Sequence, residues 1–478
     1  MGLDFRFHLG CYGRFSGSFS GRTPFMWLLL RETRAYSPPK FHTNEAKGIS
    51  AEVERLRVLK SGSEGNDVAE VQSVLKRIGL NPGAADGVYG PRTQQAVREF
   101  QTRFGLKPDG IIGPMTWRIL GRYLLGYDIY TVQRGDSFFT IAKRFGADPA
   151  LLQAANAGQH PENLMLGTRL NVPYSFDIVA ADIPYTYDIL ARNVQGLKAR
   201  YPFLRVGTAG ASVLGRTLYV LRMGNGSRQV FYNAAHHALE WITSPMLMKF
   251  AEDYLKAYAL HRQLGGYDVR SLWDDCTVWL VPMVNPDGVD LVINGLSPRN
   301  PYRDRLIRWN GGSSDFSQDW EANVRGVDLN HNYNAAWRES KQAEAGLGIT
   351  GPGPTRYSGP YPVSEPETRA MVGFTRNHDF RLVMAYHAQG QVIYWNFQDL
   401  APAEAKTIGE SLSRISGYTL DQATGVASYA GYKDWFIQDF RRPGYTVEVG
   451  EGKNPLPISQ FPTIYAENLG MLLYAATV

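Results

Sequence analysis

Three short apolar runs of this chain are predicted strands. Each contains, or leads into, a residue that can bind a metal or transfer a proton. QVFYNAA leads into His237 and Glu240, RLVMAY leads into His387, and Glu448 lies within YTVEVG. Short apolar runs of this kind are typical of buried strands, and open α/β sheets keep their sites in the loops at strand ends. The sequence therefore predicts a mixed α/β domain, a twisted sheet with helices on both faces, that carries these four side chains together.

The four residue types match the requirements of a catalytic zinc site. Such a site takes three imidazole or carboxylate ligands and leaves a fourth position to a water, whose pKa the metal lowers to about 7. His237 and Glu240 lie three residues apart, so both can reach one ion from one face of a helical turn. His387 would be the third ligand and Glu448 a general base. Each residue alone also has a structural interpretation, as a chance H-x-x-E pair or a hydrogen-bonded core histidine.

Five motifs stand in one order along the C-terminal part of the chain: HHALEWIT, VNPDG, GVDLNHN, MAYHAQG and YTVEVG. In order and approximate spacing they resemble the zinc carboxypeptidase family, over roughly residues 185–478. The resemblance implies one Zn²⁺ held by His237, Glu240 and His387. It further implies that Glu448 deprotonates the water bound to this zinc.

The same resemblance assigns neighbouring residues, with two departures from the family pattern. It implies that Asp328 orients the first histidine from behind and that Asn330 binds a substrate carboxylate. The residue after Asn330, an arginine in digestive carboxypeptidases, is His331. The position that aligns best with the family's oxyanion-stabilising arginine is Glu321, which leaves this role to Arg325 or to the metal.

The segment SYAGYKDW leaves two further assignments open. Tyr429 and Tyr432 are both candidates for the family's mobile tyrosine. Lys433 falls near the position that lines the specificity pocket, where a cation would suit an acidic group of the substrate. A solvated lysine at the start of a helix is the structural alternative.

Two smaller modules are predicted before the catalytic part. DGVYGPRT and DGIIGPMT form a repeat of turn signals, each followed by a threonine that can cap a helix. This pattern resembles the three-helix peptidoglycan-binding domain, which we place at residues 58–122. The run from YTVQRGDSFFTIAKRFG to NLMLGTRLNVP resembles a LysM module at residues 128–174, a βααβ unit that binds N-acetylglucosamine-containing glycans, with Asp136 or Ser137 as the cap of its first helix.

Composition narrows the class of protein. A chain of 478 residues, 44% hydrophobic and 20% charged, predicts a soluble globular protein of several domains, the last at residues 180–478. The net charge of +5 comes without a basic run or a basic aromatic pattern, so nucleic acid is not an expected partner. Two cysteines provide no disulfide framework, and Cys276 is predicted to be a buried core thiol.

Residues 1–57 predict no domain and are interpreted as a disordered arm. The apolar run FMWLLL is too short for a membrane span and is followed by Arg31, so neither a transmembrane helix nor a convincing signal peptide is expected. Met26 is an alternative start. The wall-binding modules favour a cell-wall-associated or extracytoplasmic location, with a spore as one setting.

Zinc carboxypeptidase domains that carry such modules resemble bacterial γ-D-glutamyl-L-diamino acid endopeptidases. These enzymes cut peptidoglycan stem peptides between D-glutamate and diaminopimelate or lysine, so the expected partners are peptidoglycan glycan and stem peptides. A metallocarboxypeptidase that trims wall peptides is one alternative, and it would need His331 as its carboxylate clamp. A non-catalytic wall-binding protein is the other, and Glu321 is its only support.

Overall fold

The computed structural model describes residues 57–160 and 162–478. The predicted N-terminal arm lies outside these residues except for Arg57, whose guanidinium pairs with Asp67 at 2.6 Å. Within the described residues, no helix has the length and apolar character needed to cross a membrane.

The first module contains three helices, α1 (Asn66–Arg77), α2 (Pro91–Arg103) and α3 (Pro114–Leu125). Each DGxxGPxT repeat is organised by a buried glutamine of the preceding helix. The Gln72 amide donates to Asp86 at 2.9 Å and to Thr93 at 3.0 Å. The Gln101 amide bonds the corresponding aspartate and threonine of the second repeat in the same way. The repeat in the sequence is therefore a repeat of one hydrogen-bonded loop.

The second module is a βααβ unit. Strands β1 (Tyr127–Thr131) and β2 (Arg169–Pro173) form an antiparallel pair. Helices α4 (Phe138–Phe145) and α5 (Pro149–Ala155) lie between them in the chain. Of the two predicted caps, Ser137 occupies the position before α4 and accepts the N–H of Thr140 at 3.1 Å. Apolar residues of both helices and both strands form a small separate core.

The C-terminal part is built on an eight-stranded mixed sheet, in the order β11-β10-β12-β9-β5-β8-β4-β3. The neighbours β12, β9, β5 and β8 run parallel, and the flanking pairs β10–β12, β8–β4 and β4–β3 are antiparallel. The strands are β3 (Arg205–Ala211), β4 (Thr217–Met223), β5 (Arg228–Ala234), β8 (Cys276–Val281), β9 (Phe380–Ala388), β10 (Val392–Tyr394), β11 (Thr419–Asp421) and β12 (Gly444–Val449), and a separate hairpin joins β6 (Gln263–Leu264) to β7 (Tyr267–Asp268).

Both faces of this sheet are covered, as predicted. Alternate side chains of the central strands enter two different cores: Met384 of β9 packs into one and Val383 into the other. Cys276 is buried at the start of β8. The helices are α6 (Tyr187–Arg200), α7 (Thr243–Ala259), α8 (Val269–Asp275), α9 (Pro286–Asn294), α10 (Arg303–Trp309), α11 (Trp337–Gly346), α12 (Pro366–Arg376), α13 (Ala403–Ser416), α14 (Tyr432–Phe440) and α15 (Phe461–Ala475).

The two small modules pack against the large one. Arg192 of α6 forms two hydrogen bonds with the Glu70 carboxylate of α1, the longer at 3.1 Å. The linker that follows β2 is held by buried Glu252 of α7, which accepts the N–H groups of Ile178 and Val179 at 2.8 and 3.1 Å. The linker is therefore part of the core of the large module rather than a free spacer.

Candidate active site

Two side chains from one turn and a third from a distant strand meet at the carboxyl ends of β5 and β9. The carboxylate of Glu240 lies 2.9 Å from Nδ1 of His237 and 2.8 Å from Nδ1 of His387. The two Nδ1 atoms are 3.3 Å apart. The short 3₁₀ turn Ala238–Glu240 after β5 turns Glu240 back toward His237, and His387 is the penultimate residue of β9.

This donor set fits a zinc ion. Two imidazole nitrogens and one carboxylate, all mutually within 4.8 Å, aim at a common point, and His387 and Glu240 are almost fully buried. Zinc bonds of about 2.0–2.2 Å bring the ligand atoms of a tetrahedral site to about this spacing. Three protein ligands leave one position open, which is the arrangement of a catalytic rather than a structural site.

Asp328 supports the first histidine from behind. Its Oδ1 lies 3.2 Å from Nε2 of His237, and Oδ2 accepts the backbone N–H of Arg356 at 2.9 Å. Although burial opposes the charged form, the neighbouring His331 and His237 and this N–H hold the pKa of Asp328 well below its usual range. An ionised carboxylate at this position fixes which ring nitrogen of His237 faces the other ligands.

Glu448 lies on β12, directly opposite His387 of β9 in the parallel ladder. The sheet therefore places the predicted base next to the predicted ligand. Burial and the nearby carboxylates of Glu240 and Glu321 raise the pKa of Glu448 well above its usual value, while His237 lowers it. A carboxyl group that holds its proton readily, at the wall of a cleft, is suited to accept and return a proton.

A cleft of about 280 Å³ opens beside these residues. Its lining includes two of the three predicted zinc ligands, His237 and Glu240, and the predicted base Glu448. It also includes Glu321, Asp328, Asn330, His331, Arg356, Gln389, Tyr394, Lys433, Asp434 and Asn454. The sequence analysis singled out neither Arg356 nor Asn454. Arg356 stands in a loop of glycines, prolines and a tyrosine, where no spacing or periodicity marks a functional residue.

Asn330 and His331 line the cleft as expected. Lys433 also lines it, but it is not solvated: the side chain is almost fully buried, with Nζ 2.5 Å from Asp434 and donating to the carbonyl of Asn396 at 2.7 Å. Its charge is therefore already balanced within the protein.

Three other predicted substrate-binding residues do not line the cleft. Arg325 is directed to Glu365, 3.6 Å away. Tyr432 is fully buried in the core, where its hydroxyl lies 2.9 Å from that of Thr375. Tyr429 is half-buried in the loop that contributes Ala427 to the cleft, but it is not among the lining residues. Tyr429 and Tyr432 thus stay outside the cleft lining, although they lie close in the sequence to Lys433, which lines it.

Comparison with known proteins identifies three domains in the chain. The zinc carboxypeptidase family matches residues 190–470, a putative peptidoglycan binding domain matches residues 64–120 and a LysM domain matches residues 130–173. The fold and the convergent ligands define a zinc metallopeptidase. The chain belongs to the zinc carboxypeptidase family and carries two wall-binding modules before its catalytic domain.

Two curated relatives share the catalytic part. Gamma-D-glutamyl-L-diamino acid endopeptidase 1 of Lysinibacillus sphaericus is 47% identical over 281 residues, which cover 59% of this chain and 69% of the relative. The uncharacterized protein YqgT of Bacillus subtilis (strain 168) is 36% identical over 274 residues, 57% of this chain and 72% of that protein. Among solved structures, thrombin activatable fibrinolysis inhibitor matches with a TM-score of 0.48 and 16% identity, over 66% of this chain and 90% of that one.

The modules imply binding to peptidoglycan and indicate association with the cell wall. Nothing in these matches supports a spore setting.

Proposed function

We propose that this protein is a zinc-dependent peptidoglycan hydrolase that cleaves stem peptides between D-glutamate and the following diamino acid. The observation that carries the proposal is the 47% identity to gamma-D-glutamyl-L-diamino acid endopeptidase 1. The shared domain brings His237, Glu240, His387 and Glu448 together. The preceding modules support a wall polymer as the substrate, because they would hold the catalytic domain on peptidoglycan.

The residues have distinct roles in the proposed reaction. His237, Glu240 and His387 would hold the zinc, with Asp328 orienting His237. Bound zinc supplies a Lewis acid that lowers the pKa of a coordinated water and polarises a carbonyl. Glu448 takes a proton from the attacking water and passes it to the leaving amine of the diamino acid. Both proton transfers would occur at the Glu448 carboxylate.

The proposal is tested by mass spectrometry of L-Ala-γ-D-Glu-diaminopimelate and of purified muropeptides after incubation with the protein. Release of L-Ala-D-Glu by the metal-loaded enzyme is expected. Chelated enzyme and Glu448→Gln serve as controls and are expected to lose at least about a thousandfold of the rate, because they lack the metal or the base. Zinc content and circular dichroism show whether Glu448→Gln keeps its fold and metal.

Loss of single C-terminal residues from free-ended wall peptides, without release of L-Ala-D-Glu, would instead identify a metallocarboxypeptidase. Binding to sacculi without cleavage of any peptide would contradict both assignments of substrate.

A further inference from the structure

One cation of the cleft has no side-chain partner among the residues that the structure describes. Arg356 is half-buried and lines the cleft with Asp328, His331 and Glu321. Its backbone N–H bonds Asp328, but across residues 57–160 and 162–478 its guanidinium has neither a hydrogen bond nor an ion pair. A guanidinium offers five donors in a planar fork that matches a carboxylate, so this side chain is ready to bind an anionic ligand.

The lysine and the other arginine considered for substrate binding are already engaged. Lys433 is balanced by Asp434 at 2.5 Å and also bonds a backbone carbonyl. Arg325 faces Glu365 and does not line the cleft. Arg356 is therefore the cleft cation, within the described part of the chain, whose donors are left for a substrate.

The backbone ties Arg356 to the metal site. Its φ of 63° lies in the left-handed region, which a non-glycine residue seldom adopts without support from its surroundings. Two hydrogen bonds hold it there: Arg356 N–H donates to Asp328 Oδ2 at 2.9 Å, and Asp328 N–H donates to the carbonyl of Tyr357 at 2.8 Å. The carboxylate that orients His237 thus also sets the position of Arg356, which suits a group that must reach a substrate held at the zinc.

We infer that Arg356 binds a carboxylate of the substrate. For the identity of the peptide, this inference rests on the proposed function. A γ-D-glutamyl stem peptide carries two candidate groups near the scissile bond: the α-carboxylate of D-glutamate on the acyl side, and the main-chain carboxylate of the diamino acid on the amine side. Either offers two oxygens to the guanidinium, and amidation of either removes its charge.

The test compares three synthetic peptides: L-Ala-γ-D-Glu-diaminopimelate, the same peptide with the D-glutamate α-carboxylate amidated, and the same peptide with the main-chain carboxylate of diaminopimelate amidated. We expect wild-type kcat/KM to fall tenfold or more for one of the two amides, which identifies the carboxylate that is bound. Arg356→Gln should lower kcat/KM on the free acid by a similar factor, mainly through KM, and should no longer distinguish it from that amide.

Two further variants serve as controls for the charge and the position of Arg356. Arg356→Lys keeps the charge and should restore part of the preference for the free acid. Arg338→Gln removes the same charge from the exposed surface of α11 and should behave as wild type. If Arg356→Gln keeps the wild-type preference, or lowers kcat equally on all three peptides, Arg356 does not bind a substrate carboxylate.

Failure of the proposed function would be seen separately, as no cleavage of the γ-D-glutamyl peptide by the wild-type enzyme. In that case the wild type and Arg356→Gln are compared by calorimetric binding of a free-ended L-dipeptide and its C-terminal amide. Weaker binding of the free acid alone in Arg356→Gln supports the inference, and equal binding of the free acid by both proteins overturns it.

Discussion

At the scale of single residues, the candidate site depends on carboxylates whose surroundings set their protonation. Against the effect of burial, His331, His237 and a backbone N–H hold the pKa of Asp328 well below its usual range, whereas burial and the carboxylates of Glu240 and Glu321 raise the pKa of Glu448. The two acids lie in the same cleft. Their different environments support the roles proposed for them, Asp328 orienting a zinc ligand and Glu448 transferring protons.

Replacing Asp328 should weaken metal binding more than it changes the fold. Asp328→Asn keeps the size of the side chain but removes the charge that orients His237, so we expect zinc affinity to fall by about 10–100-fold. Competition with a chromophoric chelator measures the affinity. Asp304→Asn, the same change at an exposed residue of α10 that does not line the cleft, is the control; an equal loss in both variants would contradict a specific role for Asp328.

Glu367 should make stability depend on pH. Burial, reinforced by Asp287 and Glu365, raises the pKa of Glu367 to about 8 against the opposing N–H of Val213. Above about pH 4.5 the unfolded chain releases this proton while the folded chain retains it, so the stability present at low pH is lost as the pH rises toward 8, by up to about 1.4 kcal/mol per unit.

Glu367→Gln places a permanently neutral group at the same position. The free energy of unfolding of this variant, measured with urea at several pH values, should therefore rise relative to wild type between pH 5 and 8. The exposed Glu339→Gln of α11 is the control. Parallel pH profiles for Glu367→Gln and wild type would show that Glu367 is ionised in the folded protein throughout this range.

At the scale of elements, the site is made by neighbouring strands. Strands β5, β9 and β12 are parallel neighbours, so their carboxyl ends lie side by side. This brings together the segment after β5, the end of β9 and the end of β12. The loop Gly224–Ser227 lets β5 begin beside β8, because a side chain at Gly226 would collide with the backbone of that neighbouring segment. The position of the predicted ligands at the carboxyl end of β5 therefore depends on how β5 and β8 pack at their amino ends.

Gly226→Ala should destabilise the protein. The added Cβ would lie 1.9 Å from the carbonyl carbon of Asp275 and 2.1 Å from the nitrogen of Cys276, so β5 and β8 would have to separate at this end. We expect a loss of about 2 kcal/mol or more, measured by thermal or urea unfolding. Gly207→Ala in β3 is the matched control, because its Cβ would meet no atom within 4 Å; equal stability of the two variants would contradict this account.

At the scale of the whole molecule, the wall-binding modules and the catalytic domain share a packed interface. Glu252 anchors the linker, and Arg192 and Glu70 join α6 to α1 with side chains only 15% and 12% exposed. Charge-assisted bonds in such surroundings are stronger than those at the surface. The modules are therefore expected to present bound glycan to the cleft in one orientation.

A double-mutant cycle of Arg192→Ala and Glu70→Ala should show this coupling. We expect a coupling free energy of about 1–3 kcal/mol from unfolding of the full chain. Arg381 and Glu404 form a similar two-bond pair within the catalytic domain but are 32% and 51% exposed, and they should couple by less than about 1 kcal/mol. Equal coupling in the two cycles would indicate that the interface pair is as hydrated as the surface pair.

The sequence by itself predicted the fold class and the family. Apolar runs and turn signals are local properties of the sequence. Together with motifs that resemble the zinc carboxypeptidase, peptidoglycan-binding and LysM families, they predicted the covered mixed sheet and the two small modules. The order of the motifs also pointed to His237, Glu240, His387 and Glu448, because each lies at or beside a strand that its own neighbours in the chain predict.

Only the tertiary structure decided which other side chains face the cleft. Tyr432 and Lys433 are adjacent in the sequence, yet one is in the core and the other lines the cleft, since successive residues of a helix point in different directions. Arg325 is paired with Glu365 and does not line the cleft. Arg356 does line it, although it comes from a loop with no marked sequence pattern. Such partners lie far apart along the chain, and their contacts exist only once the sheet and its loops have packed.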